Sequence, residues 1–228
     1  MSNTLLIFKD ELRGFAVSWV MIALWVGLPL LSIILYFVLP GGFQMETLPG
    51  MKISMTFFIG VLISSLGGTL ASIMLAVDIV NEKNRKVYDL FVIRPLKPGS
   101  ILWAKFMAVV VCVSFACLLS LAAGMLVDTI QGVQLGWLSI RTALEAFATC
   151  VGVMMISAAG GVIVGAVSPS VLISVLLVLY GTQNLALIPM APTYFGFPDY
   201  LWLMLALTLG VSALIMWGAA TIFNKKEF

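Results

Sequence analysis

Most of the residues that could contact a partner lie in one charged segment, residues 78–105, between two long apolar stretches. Within it Val87, Leu90 and Phe91 recur at the i, i+3, i+4 spacing of one helical face, and charged residues surround that face. An Arg-Pro pair at 94–95 ends this helix, because the residue before a proline is pushed out of the α region. The pattern predicts a short amphipathic helix. It either buries its apolar face in the groove of a protein partner or rests as a solvated helix on lipid headgroups.

The chain offers little for catalysis. It contains no histidine, which removes the commonest general base and the commonest metal ligand. Its three cysteines, Cys112, Cys117 and Cys150, lie inside apolar stretches without a Cys-x-x-Cys pair, as expected for small core residues. No Gly-x-x-x-x-Gly-Lys-Ser/Thr motif occurs, so the chain cannot bind ATP phosphates through a P-loop. We therefore expect no catalytic residue, no metal and no cofactor bound by this chain.

The composition points to a membrane protein. Apolar residues make up 62% of the 228 positions and charged residues 10%, whereas soluble domains are about half apolar and a quarter charged. A spanning helix needs about 20 mostly apolar residues. Six stretches qualify, at 15–39, 53–77, 106–127, 143–167, 171–188 and 200–223. We predict an all-α integral membrane protein in which residues 1–228 form one transmembrane domain.

The distribution of Lys and Arg predicts the orientation, because short cytoplasmic loops retain positive charge. With the N-terminus inside, ten of the 12 basic residues fall on the inner side, and only Lys52 and Arg141 fall outside. Both termini are then cytoplasmic, which requires an even number of spans. Before the first span, Leu5, Leu6, Phe8, Leu12 and Phe15 can line one side of a helix, with Lys9, Asp10 and Arg13 on the other. This pattern predicts an amphipathic helix in the inner interface, and a solvated tail is the alternative.

Small and polar residues inside the spans predict helix packing. Gly161 and Gly165 form a Gly-x-x-x-Gly step that allows close approach of a second helix, within the chain or across a dimer, and Gly67-Gly68 is similar. Arg141 and Glu145 are four residues apart, so we expect an ion pair. The amides of Gln183 and Asn184 either form hydrogen bonds between helices or line a substrate path.

The charged segment resembles the signature loop of the ABC-2-type exporter permeases. The matching residues, in order and without gaps, are Glu82, Lys83, Asp89, Leu90, Pro95, Ile101 and Lys105. The sequence departs from the family at Lys86-Val87, where Gly-Thr is common. The resemblance extends to the layout, with an N-terminal interfacial helix, six spans, a charged second inner loop and a short basic tail.

The resemblance implies a cytoplasmic coupling helix between spans two and three, docked on a separate ATPase subunit. By this resemblance Glu82, Lys83, Asp89, Leu90, Phe91, Arg94 and Pro95 form the ATPase-coupling segment, and Lys105 anchors span three at the lipid headgroups. ATP and Mg²⁺ would be bound by the partner ATPase. A second copy of the permease or a paralogue would complete the path, and residues 189–199 would form a re-entrant feature.

The expected function is that of a membrane-spanning permease subunit of an ABC exporter in the cytoplasmic membrane, moving an amphipathic substrate. The small net charge of +2 argues against a nucleic-acid partner. The alternative is a membrane anchor or scaffold subunit that transports nothing. An enzyme or a channel fits less well, because clustered mid-span carboxylates and a polar stripe along a span are both missing from the sequence.

Overall fold

The computed structural model describes residues 3–38, 55–85, 98–130, 137–185, 188, 191 and 200–225. All regular elements within these ranges are helical. They are α1 (Asn3–Val17), α2 (Trp19–Val38), α3 (Met55–Asn84), α4 (Pro98–Ile130), α5 (Trp137–Val167), α6 (Val171–Leu177) and α7 (Tyr200–Lys225). A π-helical turn (Val178–Thr182) and a last turn (Gln183–Leu185) continue α6.

Five of these helices are long and apolar enough to cross a bilayer, which is the architecture of a multi-pass helical membrane protein. They are α2, α3, α4, α5 and α7, and each overlaps one predicted span. The sixth predicted span, 171–188, is described only in part, up to residue 185 and at residue 188. Its described helical turns hold seven, five and three residues, which at about 1.5 Å per residue reach about 22 Å of a hydrocarbon layer about 30 Å thick.

The N-terminal residues form a separate helix, as the amphipathic pattern predicts, and Ser18 separates it from α2. The Ser18 hydroxyl and carbonyl both accept the backbone N–H of Met21, at 3.3 and 3.0 Å. Ser18 therefore caps the start of α2, and the first span begins at Trp19 rather than at residue 15. Phe8, Leu12 and Phe15 turn toward the core, whereas Leu5 and Leu6 are both 55% exposed.

A parallel pair of helices, α3 and α5, forms the centre of the bundle. A Cβ placed on Gly68 would lie 3.2 Å from Ser157 Cβ, and one placed on Gly161 would lie 2.6 Å from Ser72 Cα. These contacts advance along both helices together, so the two chains run in the same direction. The glycine steps therefore serve packing within the chain, which is the first of the two predicted alternatives.

The flanking helices α2 and α4 are joined to each other by polar groups inside apolar surroundings. The Trp25 indole N–H of α2 donates to the Cys112 carbonyl of α4 at 3.1 Å. The Ser32 hydroxyl donates to the Ser120 carbonyl at 3.2 Å. Hydrogen bonds of this kind add to helix association in lipid, where burial of apolar surface contributes little.

Candidate functional site: a buried lysine among three carboxylates

Lys105 is the centre of an ionic cluster that joins α1, α3 and α4. Its ammonium lies 3.0 Å from Glu11, 2.6 Å from Asp78 and 2.9 Å from Glu82. The lysine side chain is only 2% exposed, while the three carboxylates are 23%, 35% and 24% exposed in the same order. An ammonium has three N–H donors, and each here has an acceptor on a different residue.

The local sequence explains why these groups meet. Asp78 and Glu82 are four residues apart on α3, so they share one helical face. Lys105 follows the first turns of α4, between the buried residues Leu102 and Phe106. Glu11 lies on the face of α1 that carries Phe8, Leu12 and Phe15, and the Phe15 ring centroid is 5.8 Å from the Lys105 nitrogen.

The cluster is not electrically neutral, since three carboxylates share one ammonium. Burial raises the pKa of Glu11 above its ordinary value of 4.5, and the charges of Glu82 and Asp78 reinforce this effect while Lys105 opposes it. Among the described residues, the second carboxylate oxygen of Glu82, Oε2, is buried without a hydrogen-bond partner. A cavity of about 560 Å³ adjoins the cluster. The site therefore carries surplus negative charge beside an opening.

The resemblance implies that Lys105 anchors span three at the lipid headgroups, and this stays a prediction. In the structure the Lys105 ammonium is enclosed by protein carboxylates. The physical reason is that α3 continues to Asn84, beyond the predicted limit at residue 77, and so brings Asp78 and Glu82 beside the start of α4. The lysine compensates charges that would otherwise end the span.

The predicted ATPase-coupling residues fall into two groups. Glu82 joins the cluster, and the Lys83 ammonium donates to the Ser168 carbonyl at 2.9 Å. Asp89, Leu90, Phe91, Arg94 and Pro95 lie outside the described residues, as does the predicted coupling helix that contains them. The predicted re-entrant segment, 189–199, lies almost wholly outside them too.

These contacts place four parts of the chain at one end of the bundle. Glu11 and Lys105 bring together α1 and the start of α4, and Asp78 adds the end of α3. The bond from Lys83 to Ser168 adds the turn between α5 and α6.

Arg141 and Glu145, near the start of α5, form the predicted ion pair at 2.9 Å, which confirms that expectation.

Of the two predicted substrate-path amides, the structure describes the side chain of Asn184. The Asn184 amide donates to the Tyr180 carbonyl at 3.0 Å, within its own turn, and the Gln183 side chain lies outside the described residues. A neighbouring hydroxyl was missed. Thr182 Oγ1 donates to the Val178 carbonyl at 2.7 Å and lies 3.4 Å from the Ser72 hydroxyl of α3. A threonine four residues after a valine carries no distinctive sequence signal.

The described residues contain no group of His, Cys, Asp or Glu side chains arranged to hold a metal ion. Comparison with models of known protein families gives no match for this chain, and none of the curated proteins is significantly similar to it. What the fold defines is the class of multi-pass helical membrane proteins. A narrower assignment depends on the signature residues and on the cluster.

Proposed function

We propose that this chain is the membrane-spanning permease subunit of an ABC exporter of the ABC-2 type. One observation carries the proposal: Glu82 and Lys105, two residues of the signature, are in direct contact at 2.9 Å although they are 23 residues apart. This ion pair holds together the two ends of the charged segment. Because its two ends are held together, the segment can transmit a movement of a partner protein to α3 and α4 at the same time.

In the proposed mechanism a separate ATPase subunit binds ATP and Mg²⁺ and closes. The segment from Glu82 to Pro95 follows this closure, with Leu90 and Phe91 in a groove of the ATPase and Asp89 and Arg94 in polar contacts with it. The cluster transmits the motion into the membrane. Two permease chains, identical or paralogous, enclose the path of an amphipathic substrate, and Gln183 and Asn184 are candidates to line that path.

The proposed topology has both termini and the charged segment in the cytoplasm, with the chain in the cytoplasmic membrane. It needs a sixth crossing through 171–188. This topology is supported by the clustering of α1, the end of α3, the start of α4 and the turn at Ser168 at one end of the bundle. All four belong to the inner side that the Lys and Arg distribution predicts.

Affinity purification of the tagged chain from its native membrane tests the proposal. We expect a P-loop ATPase to be recovered in about equal amount with the chain. Replacing Leu90 and Phe91 together with Asp removes the apolar contact and adds charge to the groove, so recovery of the ATPase should fall at least about tenfold, since 1.4 kcal/mol is already a factor of ten.

The matched control replaces Thr129 and Ile130 together with Asp. Both residues are exposed at the far end of α4, and Ile130 is 83% exposed, so two acids are added outside the charged segment and recovery of the ATPase should be unchanged. If no ATPase is recovered, or if the Leu90/Phe91 variant retains it, the exporter proposal is wrong. Recovery of a stable complex without an ATPase would instead support the anchor or scaffold role.

A further inference from the structure

The contact between α1 and the rest of the bundle combines apolar packing with one partly exposed acid. Phe8, Leu12 and Phe15 pack against the core, and Glu11 lies among them with its carboxylate on Lys105. The site that receives Glu11 already holds Asp78 and Glu82 on the same ammonium. Because both of these belong to α3, the site has a net charge of −1 before α1 contributes its carboxylate.

The negative charge of the site therefore opposes docking of ionised Glu11. It gains an attraction to the ammonium at 3.0 Å, but it loses hydration and enters a site of its own sign. Burial raises the pKa of Glu11, Lys105 opposes that rise, and Glu82 and Asp78 add to it. Asp78 and Glu82 do not attach α1 to the bundle, because both lie on α3 and their bonds to Lys105 join α3 to α4.

The packing between α1 and α3 leaves a cavity large enough to hold water. The cavity of about 560 Å³ is lined by Gly14, Phe15 and Ser18 on one side and by residues of α3, among them Ile73 and Val77, on the other. Glu11 itself lines this cavity and is 23% exposed. Protons can reach its carboxyl group without unfolding of the bundle.

No other charged group among the described residues acts on the Glu11 carboxyl. On α1 the charged residues Lys9, Asp10 and Arg13 are exposed, away from the core. Helix α2 carries no charged residue. On α3 the Lys83 ammonium donates to the Ser168 carbonyl, and Arg85, one residue past the end of α3, is exposed. The charged groups that act on Glu11 are Lys105, Asp78 and Glu82.

We propose that Glu11 makes α1 a proton-sensitive clamp, which docks more firmly on α3 and α4 when its carboxyl is protonated and loosens when it is ionised. For an acid whose pKa is raised in the docked state, docking strengthens as pH falls toward 4.5 and weakens as pH rises through the raised pKa. This property does not depend on the proposed ATPase. It would make the attachment of a cytoplasmic surface helix responsive to local acidity.

Hydrogen–deuterium exchange of the purified full chain in nanodiscs tests the clamp between pH 5.5 and 7.5. The chain lacks histidine, so apart from the N-terminal amine no group of ordinary pKa titrates in this interval. After correction for intrinsic exchange, peptides of α1 should exchange faster as pH rises, by at most about tenfold per pH unit because one proton is involved. Peptides of α5 serve as the internal reference.

The variant Glu11→Gln should abolish the pH dependence of α1 exchange and keep α1 at least as protected as in the wild type at pH 5.5. The matched control is Asp10→Asn, which removes an adjacent exposed carboxylate and should leave the dependence unchanged. Faster exchange of α1 in Glu11→Gln at every pH would overturn the proposal, because attraction to Lys105 would then be what docks the helix.

A second variant leaves α1 untouched. Glu82→Gln makes the receiving site neutral before Glu11 enters, so the ionised carboxyl should be accepted more readily. Burial, the largest cause of the raised pKa of Glu11, remains in this variant, so the pH dependence of α1 exchange should persist with its midpoint moved to lower pH. A midpoint moved to higher pH would refute the clamp, even if Glu11→Gln proved too unstable to measure.

Discussion

Replacing Lys105 with Met removes one ammonium and keeps most of the side-chain volume, which isolates the electrostatic role of the cluster. Three carboxylates would then face one another with no counter-charge, around a side chain that is only 2% exposed in the wild type. Removing one partner of a buried ion pair costs about 3–5 kcal/mol. The carboxylates retain 23–35% exposure, so water relieves part of this cost and we expect about 3 kcal/mol.

The assay is thermal unfolding of the detergent-solubilised chain, followed by circular dichroism. For a domain of 150–250 residues, a change of about 1 kcal/mol moves Tm by roughly 2–4 °C, so Lys105→Met should lower Tm by roughly 6–12 °C. Lys105→Arg retains the positive charge, so its Tm should fall much less. Both variants alter the same position, so the difference between them measures the charge.

The decisive comparison is with a variant in which the three carboxylates are also replaced by neutral amides. Lys105→Met combined with Glu11→Gln, Asp78→Asn and Glu82→Gln carries no charge at the site, and exchange of a buried ion cluster for neutral groups of similar volume is often nearly neutral. Its Tm should return to within a few degrees of the wild type. A single Lys105→Met variant that melts like the wild type, or a fourfold variant as unstable as the single one, would refute the reasoning.

Three further predictions use the same unfolding assay. Gly161→Ala places a Cβ 2.6 Å from Ser72 Cα and should cost about 1–3 kcal/mol of stability. The control Gly210→Ala meets nothing within 4 Å and should be neutral or stabilising. Equal losses in the two variants would contradict the close packing of α3 against α5. Arg141→Ala breaks an ion pair whose arginine is 68% exposed, so the loss should stay below about 1 kcal/mol, and a larger loss would mean that the pair is not solvated. Thr182→Val removes the hydroxyl bonded to a carbonyl in the π-helical turn and should cost about 1 kcal/mol; an unchanged Tm would show that this bond adds no stability.

Hydropathy predicts the helical, multi-pass class and five of the spans, because burial in lipid depends on the residues of one segment at a time. The i, i+4 rule likewise predicts the Arg141–Glu145 pair, since both residues lie on one helix. The limits of α3 and α4 were predicted less well. A window that counts charges ends α3 near residue 77, but the helix continues because its acids are compensated by Lys105.

The ionic cluster could not be predicted as a whole, because its members are far apart along the chain. Glu11 and Lys105 are separated by 94 residues, and no local pattern connects them. One signal was available: Asp78 and Glu82 at i, i+4 place two acids on one face at the end of a span, where their mutual repulsion favours a nearby cation. The π-helical turn inside the predicted span at 171–188 was likewise not predicted, since Thr182 packs there against Ser72 and Gly160, which are distant along the chain.

The central claim, that the charged segment holds an ATPase on the cytoplasmic side, is tested most directly by photo-crosslinking in living cells. A photoreactive phenylalanine analogue in place of Phe91 should form a covalent adduct with a P-loop ATPase, identified by mass spectrometry. The same analogue in place of Phe37, an exposed residue at the far end of α2, should form none. An adduct at residue 91 with lipid alone, or with a protein that lacks a P-loop, would contradict the account.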